Sequence, residues 1–185
     1  GADVGTYKMN LASEQFANTS KNFSKVTFAV TDGTLTITPK SIIPDPENPK
    51  NTMSVDSPAV VVYNGQDQTW TPVVKDGERK LEPGKDYTVE YSTADRTNVS
   101  GKITVAITGI GNYSGKVERT YQITKRTVDL KSEGGSKPYD GTALTKPEVS
   151  GWQQQGDTGF VGGEVSNVRA TSSVTTVAQG EVANS

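Results

Sequence analysis

Wherever the middle of this chain is not turning, apolar side chains fall on every second position. Tyr87, Val89 and Tyr91 form one row, opposite Thr88, Glu90 and Ser92. Ile103, Val105 and Ile107 form a second, and Val117, Arg119, Tyr121 and Ile123 a third. A period of two puts each row on one face of an extended strand. The rows are interrupted by Asp76-Gly77, by Leu81-Glu82-Pro83-Gly84 and by a glycine-rich run from Gly109 to Gly115. These are turn residues, because glycine accepts positive φ and proline presets φ at the first turn position. Short alternating strands with frequent turns predict an all-β fold, in the form of a β-sandwich. Arg119 is the one charge in its row. It is expected at a rim or sheet edge, where a charge discourages strand addition.

The same pattern extends towards both ends. Residues 59–63 and 70–74 read as strands ahead of the central rows. Val26, Phe28 and Val30 alternate with Thr27, Ala29 and Thr31, and Leu35 and Ile37 alternate with threonines after Asp32-Gly33. Asp-Gly between two alternating runs predicts a hairpin with a type I′ turn. Tyr7, Met9 and Leu11 suggest an earlier strand, and residues 11–16 a helical turn too short to stand alone. Pro44, Pro46 and Pro49 predict an extended, semi-rigid spacer. Lys125-Arg126-Thr127 holds neither proline nor glycine and reads as a direct, stiff connection. Beyond it, Val128 and Leu130 open a new strand, and residues 174–177 form the last.

Two pairs of motifs recur. Tyr63-Asn64-Gly65 with Pro72 is matched by Tyr139-Asp140-Gly141 with Pro147. Asn112-Tyr113-Ser114 leading to Ile123-Thr124 is matched by Asn22-Phe23-Ser24 leading to Ile37-Thr38. Repeats of this size mean a tandem array. Four segments follow: 1–41 as the C-terminal part of a β repeat, 42–51 as a proline-rich linker, 52–125 as a complete repeat, and 126–185 as the N-terminal part of a further one. A tail without its head and a head without its tail leave strand edges open, and open edges recruit partners. A homo-oligomer is therefore expected, with 126–185 pairing with the 1–41 segment of another molecule.

These motifs resemble a known family. Tyr63-Asn64-Gly65, Gly84-Lys85-Asp86-Tyr87-Thr88-Val89, Gly111-Asn112-Tyr113-Ser114-Gly115, Tyr139-Asp140-Gly141-Thr142 and Phe160-Val161-Gly162-Gly163-Glu164 are similar to the immunoglobulin-like and MBG-type repeats of Gram-positive cell-surface adhesins. The resemblance implies tandem immunoglobulin-like β-sandwich modules, exposed on a bacterial cell surface as a stalk or adhesive region. It implies a host or cell-surface protein or a glycan as partner, and it carries over no catalytic residue.

Composition removes most chemistry. The chain has no His and no Cys, which excludes a Ser-His-Asp triad, a His-ligated zinc, thiolate catalysis and disulfides. Nineteen basic and 21 acidic residues are interspersed, so the clustered positive charge of a nucleic-acid binder is missing. No apolar run approaches the roughly 18 residues of a membrane helix, and no signal peptide or sorting tail is read in the segment. No cofactor or metal is expected, because Asp45, Glu47 and Asn48 lack calcium-loop spacing. No pair of carboxylates stands out for glycosidase chemistry either.

Two side chains remain as ligand candidates. Trp152 lies in the polar run Gly151-Trp152-Gln153-Gln154-Gln155-Gly156, where an indole can stack on a sugar ring beside hydrogen-bonding amides. Trp70 stands between Thr69 and Thr71 in a strand, where core packing competes with ligand contact. They support the alternative of a carbohydrate-binding module.

Overall fold

Strands in this chain are short and numerous. The computed structural model describes residues 2–184. The first strands are β1 (Gly5–Lys8), β2 (Thr34–Ile37), β3 (Lys40–Ser41), β4 (Met53–Val55) and β5 (Val61–Val62). Then come β6 (Val74–Asp76), β7 (Arg79–Lys80), β8 (Tyr87–Tyr91), β9 (Ile103–Gly109) and β10 (Tyr113–Ser114). The remainder are β11 (Lys116–Tyr121), β12 (Ile123–Thr124), β13 (Lys131–Ser132), β14 (Leu144–Thr145), β15 (Val149–Ser150) and β16 (Ser173–Val174). Two single turns of 3-10 helix, Ser13–Gln15 and Val177–Gln179, are the only helical pieces among the described residues. The all-β expectation holds, as many small sheets. No helix among the described residues is long and apolar enough to cross a membrane.

The chain divides into two compact units. One comprises Gly1–Ser57, Thr71–Tyr91 and Thr104–Arg119; the other comprises Pro58–Trp70, Ser92–Ile103 and Thr120–Ser185.

In the first unit β8 and β9 pair antiparallel, from Tyr87 opposite Gly109 to Tyr91 opposite Val105. The sheet order β11-β9-β8 leaves β11 at an edge. Alternation works as expected along β9, whose Val105 and Ile107 are fully buried. Ile42, Val74, Leu81 and Tyr87 are buried in this core as well. Each such aliphatic side chain contributes about 1.5–3 kcal/mol by leaving water. Arg119 confirms its expected place: from edge strand β11 its guanidinium donates to the carbonyl oxygens of Asp56 (3.2 Å) and Val55 (3.3 Å).

The first two predicted turns of the central region form. Asp76 lies opposite Arg79, so β6 and β7 are joined by the two residues Gly77-Glu78. Gly77 has φ of 60°, the conformation that a type II′ hairpin demands of its first central residue. After β7, the Gly84 N–H donates to the Tyr87 carbonyl at 2.7 Å, and the Glu82 N–H donates to Asp86 Oδ2 at 3.0 Å.

The Asp32-Gly33 hairpin is not formed. Residues 26–31 make no strand, and β2 pairs instead with β1, Gly5 opposite Ile37 through Lys8 opposite Thr34. Asp32 and Gly33 serve that longer-range pairing. Asp32 Oδ1 accepts the Leu11 N–H at 3.0 Å, and the Gly33 carbonyl accepts the Met9 N–H at 3.0 Å. Phe28 packs on Phe16 with ring centroids 5.7 Å apart, which draws residues 26–31 away from a β2 ladder. The proline stretch is also less extended than expected. Asn48 N–H donates to Asp45 O and Asn51 N–H to Asn48 O, making two successive turns after a fully buried Ile42.

In the second unit β12 runs parallel to β5, Ile123 beside Val61 and Thr124 beside Val62. The strand expected at Val128 and Leu130 starts later, at Lys131, and pairs with β15. The last strand ends at Val174, where it pairs with β14, and the chain then turns into 3-10 helix. Packing thins towards both termini of the chain. No described residue up to Ser41 is fully buried, and from Arg126 onwards only Gly159 and Ala170 are.

Candidate functional site

In the second unit, the Arg126 side chain makes four hydrogen bonds to backbone carbonyls. Its five donors sit in a rigid planar fork, which suits it to gathering several acceptors at once. Nη1 donates to the Tyr63 carbonyl at 2.8 Å and Nε to the Gly159 carbonyl at 2.9 Å. Nη2 donates to Gly156 O at 2.6 Å and Thr158 O at 2.7 Å. Three of these acceptors come from one tight turn, closed by reciprocal backbone bonds of 3.0 Å between Gln155 and Thr158. Gly159 N–H returns a bond to the Thr127 carbonyl at 2.9 Å. Only glycine fits at 159, since a Cβ there would lie 2.0 Å from the Gln153 carbonyl oxygen.

A second tie joins Tyr63 to the 161–164 stretch. The Tyr63 hydroxyl donates to Glu164 Oε1 at 2.5 Å, and Glu164 Oε2 accepts the Val161 N–H at 3.0 Å. The hydrogen bond to Glu164 holds the Tyr63 phenol above its ordinary range. Sequence reasoning singled out Tyr63 and the motif containing Glu164 but did not connect them. It treated Arg126 only as part of a stiff junction. The legible signal was an arginine where the connection lacks both glycine and proline.

A groove in the second unit has a volume of about 610 Å³. Lys137, Pro138, Tyr139, Val174, Val177 and Val182 are among its walls. Asp140 organises one rim: its Oδ1 accepts Lys137 Nζ at 2.8 Å, the Thr142 N–H at 2.9 Å and the Thr142 hydroxyl at 2.8 Å. The Lys137 hydrogen bond, then the two from Thr142, hold this carboxyl far below the usual carboxylate range. Asp140 thus acts as the turn former expected of an Asp-Gly pair.

Neither tryptophan lines that groove. Trp70 and Trp152 are both half-buried. Trp152 sits on the arm that Arg126 clasps, where its carbonyl accepts the Phe160 N–H at 2.9 Å.

In the first unit Asp76 collects polar partners. Its Oδ1 accepts Lys40 Nζ at 2.7 Å and the Thr52 hydroxyl, while Tyr113 OH lies 3.5 Å from Oδ2. Burial pushes this carboxyl up, but the hydrogen bonds from Lys40 and Thr52, the Lys40 charge and Tyr113 outweigh it, so it lies below its ordinary range. An ionised acid paired with an ammonium group is a structural tie, not an acid–base pair poised for catalysis. Among the described residues no group of three or more Asp or Glu side chains is placed to hold a metal ion.

No family model matches the chain, and neither a curated protein nor a solved structure matches it.

Proposed function

We propose that this chain is a non-catalytic structural or adhesive region of a bacterial cell-surface protein, built from tandem immunoglobulin-like β modules and displayed outside the cell. Its work is mechanical: to hold an adhesive surface away from the wall and to bind a host or cell-surface protein or a glycan. The observation that favours this reading is the Arg126 fork. Beside residues 125–127, within the second unit, one guanidinium ties the carbonyl of Tyr63 to three carbonyls of the 156–159 turn. Such a tie resists bending, as a spacer requires.

The test is a distance distribution between spin labels placed on either side of residues 125–127. A narrow distribution that broadens in Arg126→Ala, with Arg126→Lys in between, is expected. A distribution already broad in the unaltered chain overturns the stiff-spacer reading. The carbohydrate-binding alternative rests on Trp70 and, first, on Trp152, whose carbonyl accepts the Phe160 N–H. Glycan-array binding that disappears in Trp152→Ala would favour it over the spacer.

A further inference from the structure

In the second unit, the strand just before Tyr63-Asn64-Gly65 is not alone. Val61 N–H donates to Gln122 O at 3.4 Å and Tyr63 N–H to Thr124 O at 2.9 Å, which makes β5 and β12 parallel neighbours. The matching stretch before Tyr139-Asp140-Gly141 is Lys137-Pro138. Lys137 stands where Val61 does, Pro138 where Val62 does, and Tyr139 where Tyr63 does. Residues 133–140 belong to no strand, and among the described residues neither the Lys137 nor the Tyr139 N–H has a hydrogen-bond acceptor. Both residues border the 610 Å³ groove. Proline is no obstacle here. In the β5–β12 ladder residues 61 and 63 donate to β12, and the alternation of a strand turns the N–H of residue 62 away. A residue lacking an N–H is tolerated in that position.

The matching tail strand is equally open. Ile37-Thr38 corresponds to Ile123-Thr124, so Thr36 and Thr38 stand where the acceptors Gln122 and Thr124 do. Met9 N–H bonds to Gly33 O, in register with the β1–β2 ladder. Bonded pairs alternate in an antiparallel ladder, so the pairs at 35 and 37 face β1 while Thr34, Thr36 and Thr38 direct their carbonyls to the outer edge. That edge has no strand beside it among the described residues. Leu35 on β2 and Tyr139 and Val177 at the groove are 64%, 68% and 82% exposed.

We propose that the outer edge of β2 in one copy adds in parallel to residues 137–139 of a second copy, seated in the groove beside them. Thr36 and Thr38 carbonyls accept from the Lys137 and Tyr139 N–H groups, and Thr38 lies beside Pro138. The partner is another molecule of this chain, so the product is a head-to-tail pair or polymer. The inference deepens the tandem-module reading by naming the strands and their register.

The chain has no cysteine, so engineered ones report alone. Neighbouring strands bring Cα atoms within the roughly 4.4–6.8 Å that a disulfide spans. A Thr38→Cys chain mixed with a Pro138→Cys chain is expected to form a disulfide-linked heterodimer on mild oxidation. A Thr36→Cys chain, displaced by two residues, is expected to link poorly with the same partner. Equal linkage by both, linkage by neither, or closure of a Thr38→Cys/Pro138→Cys double variant on itself at high dilution overturns the proposal. Sedimentation velocity supplies the second readout. The unaltered chain should associate with rising concentration, and Tyr139→Pro, which deletes one donor on an exposed residue, should remain monomeric. An unaltered chain that stays monomeric overturns the pairing and leaves the spacer reading to its own distance measurement.

Discussion

Lys40, Thr52 and Tyr113 converge on the Asp76 carboxylate, and that convergence sets how the first unit answers to acid. The folded-state pKa of Asp76 is depressed, whereas an unfolded Asp titrates near about 3.9. The unfolded chain therefore takes up the proton first as pH falls. The stabilisation is complete above the unfolded value and is lost as pH drops through the folded one. Denaturation midpoints followed from about pH 6 to about pH 2 should fall through this window. Asp76→Asn should be less stable than the unaltered chain at the upper end and decline less steeply. An unchanged slope in that variant would remove Asp76 from the acid response. Arg126 is a different case, since its guanidinium stays charged throughout the range. The joint it makes should therefore hold at a pH where the Asp76 tie has already weakened.

At the level of elements, β9 and β11 separate two kinds of burial. Ile107 on β9 is fully buried, and Ile107→Ala should cost about 2–5 kcal/mol because the cavity only partly collapses. Tyr121 on β11 buries a hydroxyl that has no hydrogen-bond partner among the described residues. Tyr121→Phe removes an unsatisfied polar group and should be neutral or slightly stabilising. Urea denaturation of both variants checks the contrast; a large loss in Tyr121→Phe would mean that the hydroxyl is held in solution. The elements also mark what was readable in the sequence. Strands and turns governed by local chemistry, such as 87–91, 103–109 and Gly77, could be read directly because period-two burial and positive φ leave a trace in residue type. The partner of β2 could not. Asp-Gly is a local hairpin signal, but β1 competes across about thirty residues of chain, and such a pairing is decided by packing. Arg126 shows the same limit at the candidate site. Its position was visible, but its four acceptors are backbone carbonyls, and carbonyls carry no sequence signature.

Across the whole molecule, the first and last stretches bury the least. The parallel setting of β5 and β12 adds a consequence of another kind. Any tension passing through residues 61–124 enters at Val61 and leaves at Thr124, and these two strands point the same way. Pulling them apart slides one along the other, so the bonds from Val61, Tyr63 and the Thr124 hydroxyl carry the load side by side and yield together. Antiparallel strands pulled from their open end would instead unzip one bond at a time. Single-molecule pulling from handles just outside residues 61 and 124 should therefore give one high rupture force, lowered in Thr124→Val. The same polypeptide pulled from handles that peel β12 away from its end should give way at a much lower force. A segment loaded in this direction would then resist tension whatever its thermodynamic stability at rest.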